Sequence, residues 1–572
     1  MAALETRTAR SGALHLSWDR PVQWGIVILT ALLVIFPAWP IIYQAFMDMP
    51  LYEAAKGFTL GNFTRALSDP KLHGVLGVTV VYAVLTTVLA VALGTFLALL
   101  LTRTDMPGKG LFTSLVLIPF FISPLVLAYS WDTIFGTQGY LTIVVRTIGL
   151  PTWNLYSLGG IIVVSAMFYA PTAYLYCTAS LALTDPQLED AARLAGANPF
   201  LALCKVTIPL LRPAITFSAI FILVSAAEMV SIPLVLGMPS GLEVLSTYLY
   251  KIGLVGSRPD YGGIAVISLM LVLFVAGLVA LQGKLVSQER RFVTVGGKAS
   301  HPRLLRLGPW RGGAFALVTL YVVIAICLPL AGLIAQSWVS FVNPFINPLT
   351  VLTTENYEFI LNTPQYQSSI INSLLISTFG GAIGILFMAM IAVTVYRSDF
   401  RGRTSLAYLA MFPRAFPGII VGIGFLWAFL LVPGLGELRN TIFALTAAFI
   451  MRYLPLGFST ISPAIMRVST ELDRAGRVAG ASWLTMIRRI LVPILMPALM
   501  SGYVLLFITF LKEYSTALFL FAPGSEVIGT SMIALGRNGD TGPVAALATI
   551  QTIITIVVIV LSRRFLGVKL YE

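Results

Sequence analysis

The segment LEDAARLAGANPFLALCKVTIPLLRP at 188–213 lies without a gap over LDRAGRVAGASWLTMIRRILVPILMP at 472–497, a constant 284 positions later. Nine of the 26 columns are identical, among them Ala191/Ala475, Arg193/Arg477, Gly196/Gly480, Pro209/Pro493 and Pro213/Pro497. Earlier in each half an offset of 294 pairs Asn62 with Asn356, Leu67 with Leu361, Pro70 with Pro364, Arg103 with Arg397, Asp105 with Asp399, Gly108 with Gly402 and Pro119 with Pro413. By Tyr169/Tyr453 and Pro171/Pro455 the offset is already 284, so the first half carries ten extra residues in one connecting loop, where insertions collect. A chain written twice folds as two like halves, and whatever the repeated segment does is done at two equivalent places.

Those halves lie in a membrane. A chain of 572 residues that is 58% hydrophobic and 11% charged, with a mean hydropathy of +0.90, has too much apolar surface for a water-soluble core. Twelve apolar spans are predicted, near 22–45, 75–102, 111–135, 158–183, 210–238 and 263–286, then 313–338, 368–396, 404–431, 440–466, 494–522 and 543–565, each long enough to cross as helix. Six per half is even, so the halves share one orientation and are related by an axis along the membrane normal. The fold class is therefore all-α and polytopic.

The formal charge of +13 follows from topology. With the amino terminus cytosolic, the inside segments hold roughly 26 of the 37 Lys and Arg, and the loop 340–367 holds none. Both termini and both copies of the repeated segment are then expected on the cytosolic face, and the basic excess gives no reason to expect nucleic acid as a partner. The chain divides into a cytosolic tail 1–21, a first half 22–286, a basic linker 287–312 and a second half 313–572. Around that linker, Lys284, Arg290, Arg291, Lys298, Arg303, Arg306 and Arg311 stand against one acid, Glu289, which reads as a solvated, topology-anchoring connection, with membrane-lipid headgroup contact as the alternative. Arg7, Arg10 and Arg20 precede a first span too long for a signal-peptide core, so that span is read as a retained anchor. Cys177, Cys204 and Cys327 have no disulfide or metal spacing.

Within the repeated segment, Asp185-Pro186 supplies a helix N-cap and a proline at the first helical position, and Ser469 takes the cap position in the second copy. Each loop should open as a short helix. Ala191, Ala192, Ala195 and Ala197 let that helix approach another surface closely, and Gly196 and Gly480 can take the left-handed conformation that ends it. Pro209 and Pro213, with Pro493 and Pro497, are expected to mark re-entry into the membrane. A rigid, small-faced helix at the end of two spans is suited to transmit a push.

These residues resemble the membrane permeases of binding-protein-dependent ABC importers. The family signature E-A-A-x3-G-x9-I-x-L-P appears as Asp190-Ala191-Ala192-x3-Gly196-x9-Val206-x-Ile208-Pro209 and again as Arg474-Ala475-Gly476-x3-Gly480-x9-Ile490-x-Val492-Pro493. The departures are Asp190 and Arg474 at the signature glutamate, with Glu189 and Asp473 one position earlier. The resemblance implies that 185–209 and 469–493 form coupling loops whose short helices, 185–200 and 469–484, dock on an ATPase subunit. It covers nearly the whole chain, and the fused double permease looks like the ferric iron transport branch, with thiamine, polyamine and phosphonate permeases as close relatives. It further implies a type I ABC importer permease fold in a bacterial inner membrane, two copies of an ATPase subunit that binds ATP and Mg, and a periplasmic solute-binding protein.

Charged residues that lie deep in spans include Glu228 in the fifth, Lys512-Glu513 at matching depth in the eleventh, and Arg414 between Pro413 and Pro417 in the ninth. A mid-bilayer charge costs about 2.5–3.5 kcal/mol, so such groups face a partner or a wet cavity. Glu228, Glu513 and Arg414 are the candidate path residues, with structural ion pairing, such as Glu513 with Arg414, as the alternative. Two path carboxylates would suit a cation. No nucleotide-binding sequence is present, because Gly296-Gly297-Lys298 is followed by Ala299 and has no upstream glycine at the required spacing. His15, His73 and His301 are scattered, so no catalytic or metal centre and no bound cofactor is expected. An ion-coupled secondary transporter, which also builds twelve spans from parallel halves, is the alternative of another class.

Overall fold

A computed structural model describes residues 19–53, 57–184, 187–255, 259–289, 304–340, 350–398, 400–469 and 471–565. Among them nine helices are long and apolar enough to cross a membrane: Pro21–Ala45, Pro70–Arg103, Leu158–Leu183, Tyr261–Gln282, Gly308–Ser337, Pro364–Arg397, Ile442–Arg467, Ile487–Leu511 and Thr541–Arg564. Three bent pairs bring the number to as many as 12. The pairs are Lys109–Phe121 with Pro124–Thr147, bent by 106°, Phe200–Leu210 with Arg212–Ala227, bent by 59°, and Arg403–Ala415 with Gly418–Leu431, bent by 108°.

The bends correct the expected straight spans at 111–135, 210–238 and 404–431. Each break carries proline. Pro124 follows Ser123, whose side chain caps the next helix by accepting from the Leu125 N–H at 3.3 Å. Pro417 sits at the cap of Gly418–Leu431, where a proline cannot donate to the preceding turn and stops it. The eleventh span also ends early, at Leu511 rather than near 522, because its last turn closes on Lys512.

The repeat is visible bond by bond. The Asn62 amide donates to the carbonyls of Ala45 and Met47 at 3.2 and 2.8 Å, and Asn356 does the same to Ser337 and Val339 at 3.1 and 3.0 Å. Both asparagines rest on a glycine, Gly262 or Gly542, where any Cβ would collide with the amide oxygen. The Leu245 N–H donates to Thr79 Oγ1 at 2.8 Å, and the Ile528 N–H to Ser373 Oγ at 2.9 Å. Identical residues are not required for this, only a side chain with the same hydrogen-bonding capacity at the same place.

One tight packing contact is repeated with its glycine moved to the other helix. Pro70–Arg103 lies against Leu158–Leu183 where Gly94 meets the Ala170 carbonyl and the Ala173 side chain, and a Cβ on Gly94 would stand 2.5 Å from the one and 2.6 Å from the other. In the second half Met388 occupies the position of Gly94, and Gly457 that of Ala173, with the thioether filling the space a Cβ on Gly457 would need. The glycine changes helix, and the group facing it grows from the methyl of Ala173 to the thioether chain of Met388, so the second half fills its contact with a larger side chain. Gly94→Met is therefore expected to destabilise the purified protein by about 1–3 kcal/mol through overpacking. Adding Ala173→Gly removes only a methyl group and leaves the Ala170 carbonyl and the Tyr174 N–H against the new side chain, so it should recover only a small part of the thermal midpoint, and full recovery would show that the two contacts are interchangeable.

Candidate functional site

On the coupling-loop side, each copy of the repeated segment forms a short helix, Gln187–Leu194 and Glu471–Val478. Gly196 has φ 89° and Gly480 φ 79°, the left-handed conformation that only glycine adopts freely. The Ala197 N–H donates to Ala192 O at 3.0 Å and the Gly196 N–H to Arg193 O at 3.0 Å, a Schellman end, and the Ala481 N–H donates to Gly476 O at 2.9 Å in the second copy. Ser469 Oγ accepts from the Glu471 N–H at 3.2 Å, as its cap role requires. The Asp185-Pro186 cap lies outside the described residues, as do the side chains of Asp473 and Arg474.

In each half a guanidinium holds the end of the span that leads into the short helix, and in the first half it also reaches the helix itself. Arg103, buried, donates to Leu181 O at 3.3 Å and stands 3.7 Å from Glu189 Oε1. Glu189 is also buried and accepts from Thr207 Oγ1 at 2.7 Å, so it ties the helix inward to the chain that follows it. The equivalent Arg397 donates to Ile465 O at 2.7 Å and to Val468 O. The end of the basic linker is fastened beside Arg103. Leu305 N–H donates to Arg103 O at 2.8 Å, and Asp105 accepts from the Leu307 N–H at 2.9 Å and pairs with Arg311 at 3.0 Å. The Leu307 N–H, with Arg311 adding to it, holds the Asp105 carboxyl below the usual carboxylate range.

With Glu189 inward, Leu188, Ala191, Leu194 and Ala195 face outward, and Leu472, Ala475, Val478 and Ala479 do so in the other copy. Leu194 is 91% exposed and Val478 90%. Two apolar knobs flanking an alanine on a polar surface have no intramolecular reason to be bare. The sequence does carry their signal, an apolar pair at the 284 offset inside a polar loop. Asp190 and Ala192 are half-buried and Gly476 is buried against Met486. The prolines lie differently from the expectation. The returning helices begin at Phe200 and Trp483, so Pro209 and Pro493 sit within helix, whereas Pro213 stands at the start of Arg212–Ala227 after the 59° bend.

At mid-span the second cluster forms where two helices stop at one register. The Glu228 N–H donates to Val224 O and the Lys512 N–H to Ile508 O, both at 3.3 Å, and the next residues, Met229 and Glu513, donate to Ala226 O and Phe510 O, both at 3.1 Å. Glu228 is thus the counterpart of Lys512, and Glu513 that of Met229. Glu228 Oε1 accepts from Arg452 Nη2 at 2.9 Å, a bond between the halves. Glu513 accepts from Tyr453, from Ser515 Oγ at 2.6 Å and from the Thr516 N–H at 2.8 Å. Lys512 Nζ donates to Phe120 O at 2.8 Å, and Tyr514 Oη to Ser231 Oγ at 2.6 Å. Tyr169, Glu228, Arg452, Tyr453, Lys512 and Glu513 line a cavity of about 200 Å³.

Arg414 is not among that cavity's lining residues. It sits in the turn Phe412–Ala415 at the 108° break and donates to Gln282 Oε1 at 2.8 Å, so the suggested pair with Glu513 is not formed. Arg452 is missing from the sequence-based candidates although its signal is the same as theirs, a charge at the middle of the expected span 440–466; its repeat partner is the uncharged Phe168. Its presence changes the electrostatics: each carboxylate is already bonded, and Arg452 and Lys512 match the two negative charges in the cavity wall.

The sequence pattern of the family described as "Binding-protein-dependent transport system inner membrane component" matches residues 90–291 and 380–568, more than half of the chain and once in each half. The chain is 25% identical over 540 residues to the ferric transport system permease protein FbpB of Actinobacillus pleuropneumoniae, covering 91% of this chain and 74% of that protein. It is 22% identical over 501 residues to the Fe(3+)-transport system permease protein FbpB 2 of Haemophilus influenzae, covering 85% and 90%. A chain of a bacterial ABC transporter that imports the acidic polysaccharide alginate is similar over 45% of this chain and 95% of its own, at 19% identity and a TM-score of 0.37.

Leu194→Asp and Val478→Asp place a charge on each bare knob without touching the helix end. Each is expected to reduce co-purification of an associated ATPase while leaving membrane insertion unchanged. Gly196→Val forces a β-branched residue to positive φ, at about 1–2 kcal/mol, and should uncouple ATP hydrolysis from uptake. Normal coupling in all three variants would remove these helices from the docking surface.

Proposed function

The chain belongs to the family of binding-protein-dependent transport system inner membrane components, and on that premise we propose that it carries ferric iron, passed to it by a periplasmic binding protein, through a path between its two halves. It is a multi-pass membrane permease, a transport component rather than an enzyme. One observation carries the mechanical part of the reading: two short helices with the same glycine-ended geometry, each following a span whose last carbonyls are held by a buried arginine, with Glu189 adding a direct tie to that arginine in the first half. Force applied to either helix passes to the span that precedes it, most directly in the first half.

In this reading the two helices dock on two copies of an ATPase subunit, with one copy of this chain supplying both contacts. ATP and Mg belong to that subunit. Both termini lie in the cytosol, and the halves divide as 22–286 and 313–572. ATP binding draws the helices together and shuts the coupling-loop side. Hydrolysis releases them. The Glu228–Arg452 bond joins the halves across the mid-span cavity, so opening the path there must break it or carry it along. The iron assignment rests on the ferric permease relatives that match nearly the whole chain, not on the mid-span carboxylates, whose charge is already compensated.

Proteoliposomes holding this chain, its ATPase and an iron-loaded binding protein are expected to accumulate iron only with ATP. A protonophore that abolishes uptake would favour the ion-coupled alternative. Glu228→Gln and Arg452→Gln each leave an unmatched group at mid-span, a loss of about 3–5 kcal/mol for a broken buried pair. The double variant should restore folded yield but leave uptake reduced by about tenfold or more, equivalent to 1.4 kcal/mol in the barrier. Full recovery of uptake in the double variant would make the pair purely structural, and normal uptake and stimulated ATPase in Glu513→Gln would remove Glu513 from the path.

A further inference from the structure

The helix Leu158–Leu183 leads to a coupling loop at one end, and at its other end Tyr156 borders a second cavity between the halves, of about 390 Å³. Its polar lining consists of Tyr129, Asp132, Tyr156 and Tyr250 from the first half and Arg537 from the second, with no histidine or cysteine. Tyr156 Oη donates to Asp132 Oδ1 at 2.5 Å. Tyr129 Oη donates to Met532 O at 3.3 Å across the halves, and Arg537 Nη1 to Tyr250 Oη at 3.4 Å. Two glycines keep the oxygens accessible. A Cβ on Gly536 would collide with the Tyr129 phenol oxygen, and one on Gly136 would stand 2.7 Å from Asp132 Oδ1 and 2.9 Å from Tyr156 Oη.

We propose that this cavity is a transit site for a hard, highly charged cation of the iron(III) class, with the phenol oxygens of Tyr129, Tyr156 and Tyr250 and the Asp132 carboxylate as its donors. The inference deepens the cargo reading above and rests on it for the identity of the ion. Oxygen donors select hard ions, whereas the thiolates and imidazoles that hold softer metals are missing from the wall. Charge balance supports the same class. If all three phenols give up their protons to solvent on ligation, three phenolates and one carboxylate cancel a trivalent ion together with the Arg537 guanidinium, and a neutral assembly is the form least costly to bring toward an apolar path. Arg537, exposed at the rim, opposes long retention of a cation, which suits a site that must hand its cargo on.

The test uses the full chain in lipid nanodiscs, titrated with iron(III) nitrilotriacetate and read by the visible charge-transfer band that appears when a phenolate ligates iron(III). A saturable band is expected. Tyr129→Phe and Tyr156→Phe should each weaken it, Asp132→Asn should raise the apparent dissociation constant by about tenfold or more, and Arg537→Gln should tighten binding several-fold, a gain that a misfolded protein could not give. Tyr408→Phe, on an exposed residue of the helix Arg403–Met411, should leave the band unchanged. No band in the native chain, or a band that survives Tyr129→Phe combined with Tyr156→Phe, overturns the site. A band of the expected behaviour in a transporter that fails to move iron supports the site and sinks the cargo reading, whereas iron uptake that is undiminished in the tyrosine variants does the reverse.

Discussion

A guanidinium laid across the last carbonyls of a membrane-spanning helix is the contact on which the moving parts of this protein depend. Arg103 and Arg397 occupy equivalent places and each reaches the carbonyl of a residue one repeat apart, Leu181 or Ile465. Helix ends leave carbonyls without partners, and a fixed fork of donors satisfies them while locking the span to its neighbour. In the first half the same arginine also faces Glu189, so span, coupling helix and returning chain meet at one charged group. The linker threads past this group through Leu305 and Asp105, which places the covalent joint between the halves beside one of its two levers.

The two halves are alike in architecture and unlike in chemistry. Where a contact only has to hold the fold, the repeat preserves its place and lets residues vary, as with Thr79 and Ser373 or the glycine that sits at 94 on one helix in the first half and at 457 on the other helix in the second. Where the halves face each other at mid-span they have diverged: Glu228 stands opposite the register of Lys512, and Arg452 that of Phe168. A single chain can do this, because each half evolves under its own constraint while the pair must remain neutral within a low-dielectric interior. The result is a bond between unlike halves, Glu228 to Arg452, that two identical subunits could not make only once.

Much of the plan was legible without coordinates. The two offsets, 284 and 294, predict paired coupling loops, and the structure gives Gly196 and Gly480 the positive φ that their place at a helix end demands. The spans at 158–183 and 440–466 agree within a few residues with Leu158–Leu183 and Ile442–Arg467, since long apolar stretches carry a strong signal. The breaks were not legible. Hydropathy averages over a window and cannot tell a straight helix from two halves bent by 106° or 108°, although Pro124 and Pro417 mark where the bends fall.

The sequence by itself determined the membrane class, the twofold repeat and the two short glycine-ended helices, because periodicity, charge asymmetry and glycine placement are properties of the chain's own order. Tertiary structure alone decided which charges meet. Glu228 finds Arg452 across 224 positions, and Tyr129, Asp132, Tyr156 and Tyr250 converge on one cavity closed by Arg537 of the other half. Such partners share no spacing in the chain. They are brought together by packing of the halves, and the cost of an unmatched polar group in an apolar interior then fixes who bonds to whom.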